Sequence, residues 1–486
     1  MSFFEPREWD GKIYSSGWVS SKGGSREIME PATESAIGRF GVANAEDVSV
    51  AVAAAVEAPK SWAAVSYEER AAVLRRAGDL IETHGDVISD WDIREAGSAK
   101  GKAAFESHMV SGIFYASSAI ALTPYGQLLR SAKPRLSLAR RLPVGVVGVI
   151  APFNFPQILS MRSVAPALAL GNAVILKPDP RTAVCGGLVL AAILEEAGLP
   201  SGLFHVLPGA IEPATALIEH PAVRVISFTG STRAGRAIGE LGARHLKRVH
   251  LELGGNNAML VLDDVDVPQA VSAGAWGSFL HQGQVCMTTG RHLVHENIYD
   301  EYVERLSTTA NGLPVGNGAT TDAALGPIID AGQRDRIHSL VTGSVAAGAR
   351  LTAGGTYEGL FYRPTVLADS APDQPAFDEE VFGPVAPVMK FSTLDEAVDI
   401  VNQSEYGLSL AILTKDALRA LALSDRMHSG IVHINDQTVD DEPVIPFGGV
   451  GASGTGSRFG GAEANIEAFT DTQWVTMQSD IERYPF

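Results

Sequence analysis

The chain has 486 residues, 45% of them hydrophobic and 19% charged, with a formal net charge of −18 and a pI near 5.1. That length exceeds what one core usually supports, so two or three domains are expected. The acidic balance excludes nucleic acid as a partner, because such binding needs a basic footprint. Two cysteines, Cys185 and Cys286, make no disulfide framework, and no Cys/His cluster has zinc-ligand spacing. The N-terminus lacks the basic and apolar regions of a secretory signal, so a reducing, cytoplasmic setting is expected. No membrane span is expected either, since the most apolar stretch, 144–176, is broken by Pro152, Asn154, Pro156, Arg162, Pro166 and Asn172.

From about 46 to 122 the apolar residues recur at helical spacing, and Ser66 ahead of Glu69 predicts a capping box opening an amphipathic helix. Residues 123–142, polar and alternating between Pro124 and Pro143, predict a hairpin that either pairs with another subunit or lies on the surface; the last dozen residues are also extended. Short β-branched runs at 144–150, 173–176, 203–207, 223–228 and 248–253 then alternate with helical stretches at 181–197 and 232–241. Such alternation predicts a parallel sheet covered on both faces. After Gly254-Gly255 a second series follows, with strands at 258–262, 292–295, 385–391, 408–413 and 431–434 and helices at 267–281, 298–310, 333–347, 394–402 and 417–427. The fold class is α/β.

Gly449-Val450-Gly451-Ala452-Ser453-Gly454 matches the G-x-G-x-x-G dinucleotide pattern, yet it sits too near the chain end for a βαβ unit to follow. The pattern works by turning off a strand into a helix whose N-terminus meets pyrophosphate, so this copy is read as a flexible loop. A better phosphate candidate is Phe228-Thr229-Gly230-Ser231-Thr232, between a strand and a helix; an ordinary turn capped by Ser231 or Thr232 is the alternative. Lys177 ends a strand where it reaches a nucleotide or only solvent. Glu252, in Leu251-Glu252-Leu253-Gly254-Gly255, is either salt-bridged or a base with a perturbed pKa. Asn154, pinned in Pro152-Phe153-Asn154-Phe155-Pro156, either donates to a developing oxyanion or stabilises a turn. Cys286, in Gly283-Gln284-Val285-Cys286, is taken alone more often a buried filler than a nucleophile.

Together with Glu380 in Glu380-Val381-Phe382-Gly383-Pro384 and with Pro446-Phe447-Gly448-Gly449, these segments stand in the order and spacing of one family. Over essentially its whole length the chain resembles the aldehyde dehydrogenase superfamily. The resemblance implies a Rossmann-type cofactor domain at 1–122 and 143–253, an α/β catalytic domain at 254–450, and a small β oligomerisation flap with a C-terminal arm at 123–142 and 451–486. It implies that Cys286 attacks the aldehyde to give a thiohemiacetal, which loses hydride to a nicotinamide cofactor, and that the resulting thioester is hydrolysed. A base is needed, because an unperturbed thiol near pKa ~8.5 supplies only a few per cent thiolate at neutral pH. Glu252 matches that base, and Asn154 with the Cys286 N–H matches the oxyanion hole.

The resemblance further assigns Lys177 and Glu380 to the riboses, Phe382 to the nicotinamide end, and Gly230, Ser231 and Gly235 to the turn beside the pyrophosphate. Pro180 stands where many NAD-preferring relatives carry an acid; either Asp179 substitutes, or Lys177 or Arg181 accepts a 2′-phosphate, so NAD is expected with NADP as the alternative. Within the superfamily, Gly11 to Trp18, Leu159 to Pro166 and His433 to Glu442 resemble bacterial benzaldehyde- and vanillin-type enzymes, which implies an aromatic aldehyde substrate and a homodimer or homotetramer. Phe155, Leu159, Leu280, Val285, Met287 and Phe447 are the expected slot for a planar ring, and core packing would explain them equally well. Arg162 is expected to pair with a surface carboxylate rather than face a ring substituent. The competing readings are a cysteine esterase or hydrolase without redox chemistry, which leaves Lys177 and Glu380 without work, and a dehydrogenase of aliphatic aldehydes or semialdehydes. A CoA-acylating enzyme is disfavoured by Glu252, and an inactive structural protein by the complete Cys, Glu and Asn set.

Overall fold

Two seven-stranded sheets, joined through residues 253–256, account for most of the strands. The computed structural model describes residues 3–124 and 126–486; Met1, Ser2 and Tyr125, which fall in the ranges 1–122 and 123–142 above, lie outside the described residues.

In the first sheet Arg248–Glu252, Val223–Thr229, Val146–Ile150, Ala173–Lys177 and Phe204–Val206 run parallel in that spatial order. Val146–Ile150 and Ala173–Lys177 are buried at every position, which is why they read as unbroken apolar runs instead of alternating ones. Lys12–Ser15 and Trp18–Ser20 extend this sheet antiparallel beside Phe204–Val206, an extension the sequence reading did not anticipate. The helical first quarter is present as Ala45–Trp62, Tyr67–Thr83, Gly85–Ala96 and Lys100–Ile120. Ser66 does accept the Glu69 N–H at 3.2 Å. The reciprocal box, however, belongs to the preceding helix, where Asn44 and Asp47 cap each other.

Helix Pro156–Ala169 was also not anticipated, for a physical reason. It is buried on every side, so it carries no amphipathic stripe, and Pro156 opens it at a position where a proline's fixed φ is tolerated.

The second sheet has the order Arg350–Ala353, Thr365–Ala368, Val385–Phe391, Thr289–His295, Asn257–Val261, Ser409–Leu413, Ile431–Ile434. All neighbours are parallel except the first pair. The expected hairpin is Gly126–Leu128 against Leu136–Pro143, and Thr470–Met477 joins it antiparallel to make a separate three-stranded sheet. Leu128, Trp474 and Met477 are exposed on it. Among the described residues no helix is long and apolar enough to cross a membrane.

This topology gathers chemistry at one edge. The carboxyl ends of four parallel strands deliver residues 151–154, Lys177, Gly230 with Ser231, and Glu252, the crevice where ligands of open α/β sheets bind.

Candidate active site

Cys286 lies in a tight turn, closed by the Thr288 N–H donating to the Val285 carbonyl at 3.0 Å, between helix Val267–Phe279 and strand Thr289–His295. His281 and Gln282, at φ 49° and 55°, take the left-handed conformation just before it. Two consecutive non-glycine residues there are strained, so packing must hold them. The Gln282 amide donates to the Gly97 and Pro327 carbonyls, and Gln284 accepts the Ile329 N–H. Asn257, opposite Thr289 in the neighbouring strand, donates to the carbonyls of Cys286 at 2.9 Å and Thr288 at 2.8 Å. The turn is thereby tied to the middle of the second sheet. Burial, then the negative field of Glu380, Glu252 and Asp441, pushes the thiol up to about 12. At rest it stays protonated.

Asn154, buried, lies between the end of strand Val146–Ile150 and the start of helix Pro156–Ala169. The first free N–H groups of that helix, on Gln157 and Ile158, donate to Glu106 at 2.8 and 3.0 Å. Glu106 is in turn paired with Lys102, which reaches Asp92 at 3.0 Å and lies 4.7 Å over the Phe155 ring. A wholly buried charge chain, with a carboxylate on the positive end of a helix, thus fixes Phe155 and the helix start that follow Asn154.

Glu252 ends its strand 4% exposed, and no side chain among the described residues hydrogen-bonds its carboxylate, which has the Gly449 N–H near it. Burial raises it well above the usual carboxylate range against the opposing pull of Arg162 and Arg458. An unpaired, buried carboxylate of this kind suits proton abstraction. The loop carrying Gly449, Gly451 and Gly454 packs on this strand end, with the Leu253 N–H donating to the Ser453 carbonyl, and a Cβ on Gly454 would lie 2.8 Å from the Leu251 carbonyl oxygen. Its glycines allow this close approach; no helix opens from it toward a phosphate.

A cavity of about 780 Å³ runs along the strand ends and is lined by Lys177, Gly230, Ser231, Glu380 and Phe382 as well as Asn154 and Cys286. Ser231 caps helix Thr232–Arg244 through the Ala234 N–H. Gly235 borders this turn from within the helix, where a Cβ would overlap Leu253. The buried Lys177 ammonium meets only the Pro178 carbonyl at 3.3 Å, and burial lowers its pKa. Glu380 accepts the Gly255 N–H at 3.1 Å and burial lifts it to about 7. Phe382, at φ 53°, packs edge-on against Phe153. Asp179 gives both oxygens to Arg181, which also pairs with Asp330. The Asp179 carboxylate is thus held in place by Arg181 at the cavity wall, one residue before Pro180. These groups fit an adenine dinucleotide: a cation and a carboxylate with unused capacity, and a turn opening a helix.

On the other side of Cys286 a smaller cavity of about 230 Å³ is walled by all six predicted slot residues, Phe155, Leu159, Leu280, Val285, Met287 and Phe447. Phe105, Ile158, Trp276 and Val439 also line it. Arg162 is paired, but with Asp441, which belongs to this cavity wall rather than to the surface, and its guanidinium lies 4.5 Å over Phe447. The expectation of a surface partner is corrected accordingly.

Two cavities meeting at one thiol, beside an amide donor and an unpaired carboxylate, can support acyl chemistry coupled to a bound cofactor. The aldehyde dehydrogenase family model matches residues 18–475. The chain belongs to the aldehyde dehydrogenase family. It is 62% identical over 486 residues, all of both chains, to the vanillin dehydrogenase of Amycolatopsis sp.. It is 48% identical to the NAD(+) benzaldehyde dehydrogenase of Pseudomonas putida over 98% of each chain. The crystal structure of a salicylaldehyde dehydrogenase from Pseudomonas putida G7, complexed with salicylaldehyde, superposes with a TM-score of 0.94 at 35% identity, covering 98% of this chain and 99% of that one.

Against this aldehyde dehydrogenase fold, the sequence reading missed residues that act through others. Asn257 stands two residues after Gly254-Gly255 but has no chemical signature of its own. Glu106 and Lys102 lie on helix Lys100–Ile120, far along the chain from the motifs they support. Their only sequence signal is charge on a face that is otherwise apolar. Cys185 is buried, and it is its backbone N–H, donating to Glu95 at 2.7 Å, that does structural work.

Proposed function

We propose that this aldehyde dehydrogenase oxidises aromatic aldehydes of the benzaldehyde or vanillin type to carboxylic acids, with NAD as cofactor. The observation that carries the reading is the junction of a cofactor-sized cavity and a mostly apolar cavity at Cys286 and Asn154. The named relatives and the aromatic wall of Phe105, Phe155 and Phe447 support a planar substrate.

Glu252 takes the Cys286 proton, directly or through water, as the thiol adds to the carbonyl carbon. Asn154 and the Cys286 N–H donate to the oxygen that gains charge, and losing one such donor typically costs about 10² to 10³ in rate. The nicotinamide cofactor, when bound, accepts the hydride released as the carbonyl re-forms. Once Glu252 has passed the thiol's proton to solvent, it removes a proton from the water that attacks the thioester; the acid leaves, and the Cys286 thiolate takes that proton back. Lys177 and Glu380 would hold ribose hydroxyls, Gly230, Ser231 and Gly235 would shape the turn beside the pyrophosphate, and Phe382 would bear on the nicotinamide end. With Asp179 engaged by Arg181 and Lys177 making no hydrogen bond to a carboxylate among the described residues, NADP is the second cofactor candidate.

The first sheet and its helices (1–122 and 143–253) then form the cofactor-binding part, residues 254–450 the catalytic part, and 123–142 with 451–486 the flap and arm through which copies pair as a homodimer or homotetramer. The exposed Leu128, Trp474 and Met477 support that pairing. A chemistry that needs a free thiol fits a reducing cytoplasm.

Mixing the protein with benzaldehyde and NAD and following reduced-nicotinamide absorbance tests the reading. Turnover that is lost in Cys286→Ala is expected. Ester cleavage without any NAD reduction would instead establish the hydrolase.

A further inference from the structure

Glu252 is a buried carboxylate that must ionise before it can accept a proton, so the charged groups that face it matter. Arg162 comes from helix Pro156–Ala169, Asp441 from the 437–441 loop, Cys286 from the turn before strand Thr289–His295, and Arg458 from the loop that packs on the strand end. Burial raises Glu252; Arg162 and then Arg458 pull it back down, and Asp441 opposes them. Arg162 brings little net charge, because Asp441 pairs with it. Arg458 is different. It is half-buried, donates to the Gly449 carbonyl at 3.2 Å and the Ser457 carbonyl at 3.3 Å, and forms no direct ion pair among the described residues.

Gly448 shows how close cation and carboxylate come. A Cβ built on it would lie 2.5 Å from Arg458 Nη1 and 2.9 Å from Glu252 Oε1, so the two face each other across a space that any side chain at 448 would fill. Backbone contacts hold the loop there, with the Leu253 N–H donating to the Ser453 carbonyl at 2.9 Å and Glu252 bridged antiparallel to Gly454. The gap decides what the arrangement does. A direct salt bridge would pin the carboxylate, occupy its lone pairs and suppress its basicity, whereas with no cation a buried carboxyl stays protonated at neutral pH. A guanidinium that faces the carboxylate without bonding to it favours the ionised form and leaves the oxygens available.

We propose that Arg458 is a positioning residue for the base, supplying with the Arg162–Asp441 pair the charge balance that sets the pH at which Glu252 can take a proton. This rests on the reading of Glu252 as the general base given above. Arg458 lines neither cavity, and its guanidinium stays charged throughout, so its effect reaches the reaction only through Glu252. Losing Arg458 removes a partner of the ionised form and raises the pH that activity needs. Losing the Asp441 carboxylate removes an opposing charge, frees Arg162 and lowers it.

The test is the pH dependence of kcat for para-nitrophenyl acetate hydrolysis by the full-length enzyme without cofactor. That reaction calls on Cys286 and Glu252 and gives no part to Glu380, which burial lifts to about 7. Arg458→Gln keeps a donor for the Gly449 and Ser457 carbonyls and removes the charge. Its acid limb is expected about one pH unit above that of wild type, with the plateau at high pH little changed. Arg458→Lys restores the charge and should bring the limb back toward wild type. Asp441→Asn should move the limb the other way, and it decides the matter if Arg458→Gln does not fold. A purely structural role would lower the whole profile without moving its midpoint. A limb that disappears in Glu252→Gln but keeps its wild-type position in Arg458→Gln, or in Asp441→Asn where that variant decides, would overturn the role of Arg458 and leave the base reading intact. A limb that persists in Glu252→Gln would overturn both.

Discussion

The Gln157 N–H donates to the Glu106 carboxylate at 2.8 Å, tying the helix that starts beside Asn154 to a separate helix, Lys100–Ile120. Removing Glu106 as alanine frees two helix-end N–H groups and leaves the buried Lys102 with one carboxylate fewer. A loss of about 3–5 kcal/mol is expected, the range for breaking a buried ion pair, read as a fall in the denaturant midpoint. Glu106→Gln keeps an acceptor for the helix and should cost less. A Glu106→Ala protein as stable as wild type would show that the charge chain is not what holds this helix.

Glu252 links activity and stability with opposite signs. Its folded-state pKa is raised by burial, so between the ordinary carboxylate value and the raised one the folded protein carries a proton that the unfolded chain lacks. Stability is therefore full below that window and declines as pH rises through it. Activity moves the other way, because the base must be ionised. Thermal melts across pH should show wild type losing Tm relative to Glu252→Gln as pH rises, with the two converging in acid. In the same variant kcat/KM should lose its acid limb, and thioester hydrolysis should slow more than hydride transfer. Parallel melts at every pH would remove Glu252 as the titrating group.

Asn257 holds the Cys286 turn through two carbonyls. Asn257→Ala gives up three hydrogen bonds, those two and the one its Oδ1 accepts from the Ser409 N–H at 2.9 Å, each worth about 0.5–1.5 kcal/mol. The expected result is at least about a 10-fold fall in kcat as the nucleophile loses its fixed position, with little change in NAD affinity. Steady-state kinetics beside an NAD fluorescence titration separates the two effects.

Gly235 lets helix Thr232–Arg244 approach Leu253. Gly235→Ala should overpack that contact at about 1–3 kcal/mol and shift the helix start proposed to meet the pyrophosphate. NAD binding should weaken in the titration, while cleavage of an activated ester, which needs Cys286 and no cofactor, should continue.

What the sequence made legible was whatever has a local signature. The parallel strands read as β-branched runs, Val385–Phe391, Ile431–Ile434 and helix Leu394–Asn402 were placed to the residue, and the six residues named for their nearness to the site motifs do line one cavity. Elements without a period or a long partner run were not. Helix Pro156–Ala169 is buried all round, and Lys12–Ser15 finds its sheet only through Phe204–Val206, far along the chain. Arg162 shows the same limit at the site. Its need for a carboxylate was readable from charge and burial cost, but whether that carboxylate lies on the surface or in a cavity depends on where the 437–441 loop folds back.

Asn154, Leu159 and Cys286 line both cavities, so the partition between the proposed cofactor and aldehyde sites is a single layer of side chains. A partition that thin transmits. Any shift of these three residues when one ligand docks alters the affinity for the other, and by linkage the factor is the same in both directions. Titrating one ligand in the presence of a dead-end analogue of the other reads that coupling free energy directly, and it makes the two Michaelis constants of this enzyme properties of one shared wall.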